Sequence, residues 1–323
     1  MTDEIRTPPA SAREWQLIEK LLTSAQDEQR RARRWGIFFK TLVFVYLFAM
    51  LFLFMGRDGS SDHPGTGTDH VALVEVSGVI MPDGDASADA IVGGLRDAFE
   101  AAHSKAVIVR INSPGGSPVQ SGIVYDEIKR LRAEYPDKKL YAVIGDVGAS
   151  GAYYIAAAAD EIYVDKASIV GSIGVIMQGF GAQELIHKLG IESRTMTAGN
   201  NKNLLDPFSP VQEAQKQHVQ KMLDTIHAQF IAAVKDGRGE RLKEDPTVFS
   251  GLFWTGEQAV QMGLADGLGS SSYVARDIVG TEDIVNYSYQ RSPIERLAER
   301  FGASVGASMA EHLGVSTLQP TLR

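Results

Sequence analysis

A long apolar run near the N-terminus restricts how this chain can fold. Residues 37–55 are 19 residues with a single charge, Lys40, close to the start of the run. A run of this length can cross the hydrocarbon core of a bilayer as one helix, and a lysine near its end can reach the interface. We therefore predict a single transmembrane anchor over residues 37–55, preceded by a tail over residues 1–36.

Charged residues on either side of the anchor predict its orientation. Four arginines precede it, whereas one arginine and two aspartates follow it: Arg30, Arg31, Arg33 and Arg34, then Arg57, Asp58 and Asp62. The positive-inside rule places residues 1–36 in the cytoplasm and the rest of the chain outside the bacterial inner (cytoplasmic) membrane, in the periplasm or at the cell exterior. A cleaved signal peptide is the alternative, but the 36-residue leader is long and no A-x-A site follows the run.

Composition divides the remaining chain and excludes some classes of function. Residues 56–70 have the composition of a flexible linker, residues 71–291 suit a globular domain, and residues 292–323 suit a helical tail, which we interpret as a contact in an oligomer. The net charge of −8 gives no reason to expect a nucleic-acid partner. The chain has no cysteine, so disulfides, thiolate nucleophiles and cysteine-based metal sites are excluded.

Strand-like and helix-like segments alternate after the linker. The pattern predicts strands over residues 71–80, 105–111 and 140–144, with helices over residues 88–103 and 119–135 between them. This alternation is typical of parallel βαβ units, so we expect an α/β fold whose ligands bind at the carboxyl ends of the strands.

The second half of the domain is predicted in less detail. Strands are expected over residues 161–165, 175–178 and 191–197. Two capping boxes predict helix starts, one at Ser209 and Gln212 before a long helix and one at Thr255 and Gln258 before a short helix.

A serine occupies the corner where the third strand meets the next helix. The sequence Gly148, Ala149, Ser150, Gly151 connects that strand to a run of helix formers. The first turn of a helix has unpaired N–H groups and the positive end of the helix dipole, so it can stabilise negative charge on a bound oxygen. Ser150 is therefore a candidate nucleophile. The alternative is that Ser150 merely caps the helix, and Ala152 stands where a G-x-S-x-G elbow has its second glycine.

A Pro-Gly-Gly turn follows the second strand. In the NSPGG segment, Pro114 fixes the turn, and the N–H groups of Gly115 or Gly116 can point at a carbonyl oxygen as an oxyanion hole. Pro-Gly-Gly by itself is usually only a turn. Its place at a strand end puts it on the same rim of the sheet as Ser150, so both interpretations stay open.

A serine nucleophile needs a base. No histidine lies in a recognisable triad context, which leaves little support for a Ser-His-Asp arrangement. A lysine can serve if desolvation disfavours its ammonium form. Lys202, in the loop AGNNKNLLDPF, is a candidate, although most loop lysines are solvated surface groups. A serine and a lysine would need no metal and no cofactor.

Five segments together resemble the signal peptide peptidase A family of serine–lysine membrane peptidases, in its short single-domain form. They are RINSPGG, DVGASGAYYIA, GSIGVI, the GNNKN loop and GLFWTGEQAVQMGLADGLG. The resemblance implies a spiral of βαβ units like that of ClpP and crotonase-like enzymes, with an N-terminal transmembrane helix and a serine peptidase domain outside the membrane. It also implies hydrophobic peptides, such as remnant signal peptides, as substrates.

The resemblance assigns a role to each candidate residue. Ser150 would be the nucleophile, Lys202 the general base, and Ser172 the hydroxyl that orients the lysine. The oxyanion hole would be formed by N–H groups from the two glycine segments, namely Gly115 or Gly116 and Gly151.

The chain departs from the family beside the lysine. Asn201 and Asn203 occupy places where the family often carries an aromatic and an acidic residue. Short members look like obligate homo-oligomers in which the lysine of one subunit serves the serine of a neighbour, and we expect the same arrangement here. The alternatives are a crotonase-like enzyme acting on acyl-CoA and a catalytically silent membrane scaffold of the same fold.

Overall fold

A computed structural model describes residues 12–55 and 67–289 of this chain. They fall into two compact units, the first holding residues 12–55 and the second residues 67–289. The whole predicted C-terminal tail over residues 292–323 lies outside the described residues, as do residues 1–11 of the predicted N-terminal tail and residues 56–66 of the predicted linker.

The first unit is one helix, α1, over Ala12–Met55. Within it, Gln29–Phe52 is long and apolar enough to cross a membrane, and α1 is the one such helix in the described part of the chain. The apolar side chains of residues 35–52 are exposed, so no protein core explains their hydrophobicity. The first unit therefore contains a candidate membrane span where the sequence predicts an anchor.

The second unit has a parallel sheet at its centre. Strands β1, β2 and β3 pair in parallel, with Leu73 opposite Ile108 and Ile108 opposite Tyr141. Helices α2 and α3 form the crossovers between them. The bounds are β1 His70–Ser77, α2 Ala88–Glu100, β2 Ser104–Ser113, α3 Pro118–Glu134 and β3 Lys139–Ala149. The predicted βαβ alternation is confirmed.

Strand β3 pairs with two different strands along its length. Residues 141–144 pair with β4, and residues 147–149 pair with β5. The sheet therefore changes direction along β3, as a spiral of βαβ units requires. The remaining elements of this region are α4 Gly151–Ala156, β4 Glu161–Val164, β5 Ile169–Gly171 and α5 Gln183–Lys188.

Short strands complete the sheet at its edges. β6 pairs antiparallel with β5, β7 pairs with β4, and β8 pairs with β1. The elements after α5 are α6 Glu213–Arg238, a 3-10 turn Gly239–Arg241, β6 Phe253–Thr255, α7 Gly256–Gln261, β7 Gly267–Leu268, α8 Ser271–Tyr273 with a π-helical turn Val274–Val279, and β8 Ile284–Asn286. The result is a mixed α/β sheet with helices packed against it.

The main core lies between one face of the sheet and the helices. Leu95 and Phe99 of α2, Ile128 of α3 and the alanine run after Tyr153 are fully buried there. Burial of each large apolar side chain contributes roughly 1.5–3 kcal/mol. A smaller cluster that includes Leu73 covers the opposite face. Because alanines carry no long side chains, α4 can pack closely under the sheet.

Three predictions about the second half of the domain are wrong. Residues 175–178 and 191–197 form no strand, and Ile176 and Ile191 are largely exposed. The capping box at Ser209 is also absent, because α6 begins only at Glu213 and the Ser209 hydroxyl binds Asp206 instead. An apolar run predicts a strand only when a neighbouring strand is available to pair with it.

The second capping box is confirmed. The Thr255 hydroxyl accepts a bond from the N–H of Gln258, and the Gln258 side chain accepts a bond from the N–H of Thr255. These two bonds satisfy N–H groups at the start of α7 that the helix itself cannot pair.

Candidate active site

Ser150 sits between β3 and α4 in a backbone conformation that L-residues rarely adopt. Its φ is 52° and its ψ is −126°. Such conformations cost of order 1–3 kcal/mol and persist only where the surroundings enforce them. Here the N–H of Ser150 donates to the carbonyl of Gly171 at 2.8 Å, and the N–H of Tyr154 donates to the carbonyl of Ser150 at 3.0 Å. β5 and α4 together hold the corner in place.

The hydroxyl of Ser150 does not cap α4. Ser150 occupies the N-cap position but makes no capping hydrogen bond with its side chain. A serine kept only as a helix cap would accept a bond from the second or third N–H of the helix. The structural alternative for Ser150 is therefore not supported, and its side chain instead lines a pocket.

Two N–H groups lie beside this serine. A parallel bridge between Ile80 and Gly116 uses the carbonyl of Gly115 and the N–H of Ser117, so it does not use the N–H of Gly116. A methyl group on Gly151 would lie 3.3 Å from the nitrogen of Gly116. The N–H of Gly151 is the first of α4 and has no partner within the helix. The structure thus brings Gly116 and Gly151 together next to Ser150.

Gly115 supports this arrangement without lining the pocket. Its φ is 96°, a value that favours glycine, and its N–H donates to the hydroxyl of Ser113 at 3.1 Å. Ser113 is fully buried. Sequence reasoning treated Ser113 only as part of a turn. The signal that could have identified it is a serine two residues before a glycine, which is the spacing of a side-chain-to-backbone turn.

Asn112 joins the two strands that carry the site. Its side-chain oxygen accepts from the N–H of Val147 at 3.2 Å, and its side-chain nitrogen donates to Asp146 at 3.2 Å. Asp146 and Val147 lie where β3 passes from β4 to β5. Asn112 therefore stabilises the bend in β3 that leads to Ser150, a role that the sequence pattern did not indicate.

The pocket beside Ser150 is small and mostly apolar. Its volume is about 130 Å³. Residues from α3, α4, α6 and the segment after β5 line it: Gly116, Pro118, Ser150, Gly151, Tyr154, Gly174, Val175, Ile176, Ile226, Gln229 and Phe230. Burial raises the pKa of the Tyr154 hydroxyl above its already high ordinary value. An apolar side chain of moderate size fits such a space best.

Ser172 lies directly after β5 and near the same corner. Its φ is 52°, and its N–H donates to the carbonyl of Leu252 at 2.7 Å. Gly171, its neighbour in sequence, accepts the hydrogen bond from Ser150. The structure therefore places Ser172 one residue from the contact that holds Ser150.

Lys202 does not lie at the Ser150 corner of the same chain. It is exposed in a turn, with its N–H donating to the carbonyl of Gly199 at 3.1 Å, and it does not line the pocket beside Ser150. Its neighbour Asn201 accepts a bond from Gln215 at 3.4 Å. Of the six predicted site residues, Lys202 is the one that the structure does not bring to the corner.

Comparison with known proteins adds an independent observation. Residues 132–282 match the family described as Peptidase family S49. A Synechocystis protein named "Putative protease slr0021" is 31% identical over 62% of this chain and 70% of its own length. Protease 4 of Haemophilus influenzae is 32% identical over 62% of this chain and 33% of its own length.

Some relatives share only a part of their length with this chain. A Brucella melitensis protein named Na(+)/H(+) antiporter NhaA is 42% identical over 76% of this chain. The chain spans only 34% of the length of that relative.

Proposed function

Since the chain belongs to peptidase family S49, we propose that it is a membrane-anchored serine endopeptidase with Ser150 as nucleophile and Lys202 as general base. One observation carries the proposal most strongly. Ser150 is held in a strained corner with its hydroxyl unused as a cap, beside the N–H groups of Gly116 and Gly151. Maintaining strain at a serine is expected where the serine reacts.

The proposed reaction is acyl transfer to the serine. Neutral Lys202 accepts the proton of the Ser150 hydroxyl as the oxygen attacks a peptide carbonyl carbon. The carbonyl oxygen becomes an anion that accepts bonds from Gly116 and Gly151. Collapse of this intermediate breaks the C–N bond, and the lysine returns its proton to the departing amine. Water then attacks the carbonyl carbon of the acyl-enzyme, with Lys202 taking its proton, and the acid is released as Ser150 regains its hydrogen. Ser172 orients the lysine throughout.

Lys202 and Ser150 would meet between two subunits. Lys202 is exposed and away from the pocket, so a lysine from a neighbouring copy is the simplest way to complete the site. The segment around it supports this idea, because it carries many exposed apolar side chains that a monomer would leave in water: Ile176, Met177, Phe180, Leu185, Leu189, Ile191, Met196, Phe208 and Val211. Exposed apolar patches of this kind mark interaction sites.

The anchor and the pocket together suggest the substrates. The apolar run over residues 37–55 of α1 would hold the chain in the bacterial inner membrane with residues 1–36 in the cytoplasm, a linker over residues 56–70, and a peptidase domain over residues 71–291 outside. The tail over residues 292–323 would contact other subunits. A small apolar pocket beside the nucleophile suits hydrophobic peptides, and remnant signal peptides are available at that surface.

A catalytically silent scaffold is the second candidate. The exposed position of Lys202 and its two amide neighbours, Asn201 and Asn203, favour it, because a lysine that serves as a general base needs a desolvated site. Membership of a peptidase family weighs against both this candidate and an acyl-CoA enzyme.

The decisive experiment uses the full chain in detergent with a labelled signal peptide and a serine-reactive fluorophosphonate. We expect wild-type cleavage and labelling, and loss of both in Ser150→Ala. Lys202→Ala should lose cleavage, whereas Lys243→Ala, which changes an exposed lysine outside the proposed subunit interface, should retain it. Equal cleavage by wild type and Ser150→Ala would refute the assignment of the nucleophile. Absence of cleavage and labelling in the wild type would favour the scaffold.

Mixing the two inactive variants tests the shared site. Ser150→Ala subunits still carry Lys202, and Lys202→Ala subunits still carry Ser150. If the site is shared, co-expressed variants recover part of the wild-type activity while each alone stays inactive. If the lysine and serine of one chain act together, the mixture stays as inactive as its components.

A further inference from the structure

The segment after β5 forms one wall of the pocket but has little regular structure. Residues 172–182 are in no helix or strand, yet Gly174, Val175 and Ile176 line the pocket. The backbone N–H of Ser172 donates a hydrogen bond to the carbonyl of Leu252 at 2.7 Å. After Ser172, the position of residues 174–176 depends on contacts with another element.

His227 of α6 supplies that connection. Its ring nitrogen Nε2 lies 3.0 Å from the carbonyl oxygen of Ile173, directly before Gly174. A carbonyl oxygen only accepts hydrogen bonds, so Nε2 carries the hydrogen, and it donates whether or not Nδ1 is also protonated. The ring is partly buried, and the Ile173 side chain is fully buried in the core.

The same stretch of α6 forms another wall of the pocket. Ile226 and Phe230 line it on either side of His227 in sequence. Phe230 is buried, and its ring packs against the ring of Tyr154 with 4.9 Å between the centroids. The helical wall is therefore anchored to α4, and the bond from His227 ties the irregular wall to it.

We propose that His227 is a positioning residue that sets the spacing between the two walls and thereby selects the apolar side chain that enters beside Ser150. The inference rests on the proposed peptidase function and adds the determinant of its specificity. His227 lies outside the pocket lining, so it acts through Ile173 and Gly174 rather than on the substrate.

Two substitutions of His227, by glutamine and by leucine, distinguish the effect of the hydrogen bond from the effect of the size of the ring. Glutamine can place a side-chain N–H near the position of Nε2, whereas leucine keeps an apolar side chain and has no donor. His218→Leu is the matched control, since His218 is an exposed histidine on the same helix. All variants are made in the full chain, and their melting temperatures are recorded.

The first readout is amide hydrogen exchange, which does not depend on activity. In His227→Leu, the Ser172 amide, whose N–H donates to the carbonyl of Leu252, should exchange about tenfold faster, because the neighbouring hydrogen bond to Ile173 has been lost and the segment opens more often. Peptides from α3 should be unchanged. His227→Gln should return the exchange close to the wild-type rate. Wild-type exchange in His227→Leu would overturn the positioning role.

The second readout is cleavage selectivity, for peptides that differ only in an Ala, Val, Leu or Phe residue before the scissile bond. We expect the preference of the wild type among these peptides to fall about tenfold in His227→Leu and to recover in His227→Gln. Unchanged selectivity in His227→Leu would overturn the proposed determinant. Failure of the wild type to cleave any peptide would instead refute the peptidase function, and the exchange data would still decide the positioning role.

Discussion

Gly115 and Ser150 approach each other so closely that a methyl group on Gly115 would lie 2.8 Å from the Cβ of Ser150. The same methyl group would lie 2.7 Å from the nitrogen of Gly151 and 2.7 Å from the carbonyl oxygen of Ala149. Carbon atoms at such distances overlap, so the backbone must shift. The backbone of the loop after β2 therefore packs directly against the backbone of the corner after β3.

Gly115→Ala should reduce peptide hydrolysis at least about 100-fold, because the shift displaces a proposed oxyanion donor from its place beside Ser150. Initial rates at saturating peptide measure the loss. Gly122→Ala is the matched control, since a methyl group on Gly122 in α3 has no heavy atom within 4 Å. That variant should keep its activity and gain up to about 1 kcal/mol of stability. Similar activity in both variants would show that the close fit at Gly115 has no role in catalysis.

Ser150→Gly should be more stable than Ser150→Ala by about 1 kcal/mol, because glycine adopts a φ of 52° without the strain that a Cβ creates. Both variants lack the hydroxyl, so its loss does not contribute to the difference in stability between them. Their urea midpoints, measured side by side, give the difference. Equal midpoints would mean that the corner stores no strain at this residue.

Acid should destabilise the fold through Glu127. Hydrogen bonds from Arg130 and Arg96 lower the pKa of Glu127 from 4.5 to about 2. Because the folded pKa lies below the unfolded value, the stabilisation is complete above about pH 4.5 and is lost as the pH falls towards 2. Glu127→Gln should be less stable than wild type at pH 7 and should lose less stability over that acid range. If the free energy of unfolding falls equally with pH in wild type and in Glu127→Gln, Glu127 is not the source of the acid sensitivity.

Arg238→Met should lower the free energy of unfolding by about 3–5 kcal/mol. Arg238 is buried and binds both oxygens of Asp266 at 2.8 and 2.9 Å. Burial raises the pKa of Asp266, but the bonds from Arg238 outweigh it and hold the pKa below its usual value. Removing Arg238 alone leaves that carboxylate buried with less compensation.

The control for this pair is an exposed ion pair. Arg276 binds Asp277 at 2.6 Å with both side chains about half exposed, so Arg276→Met should cost less than about 1 kcal/mol. The double variant Arg238→Met, Asp266→Asn should recover part of the lost stability. If the double variant is no better than Arg238→Met, the unpaired carboxylate is not the cause.

Local sequence signals predicted the parts of the fold that depend on local chemistry. The alternation of strands and helices, the glycine-flanked corner at Ser150 and the capping box at Thr255 all follow from residues close together in the chain. The pairing of β3 with both β4 and β5 did not follow, because it depends on a bend that Asn112 stabilises from another strand.

The two wrong strand predictions have a common physical reason. Residues 175–178 and 191–197 have strand-like composition, but their apolar side chains are exposed rather than buried against a neighbouring strand. Hydrophobicity alone does not distinguish a core strand from a surface that meets another molecule. The contribution of His227 was missed for a similar reason, because its partner, the carbonyl of Ile173, is far away in sequence.

The dual pairing of β3 also imposes an order in time. Ser150 is held by Gly171 of β5, and in the described part of the chain β5 pairs only with β3 and with β6, which lies far downstream at Phe253–Thr255. Because β5 precedes β6 by about 80 residues in the chain, we expect a chain that emerges from its anchor in sequence order to carry an unfinished serine corner until β6 has followed. The proposed reactive centre would then be complete only after most of the domain has been made.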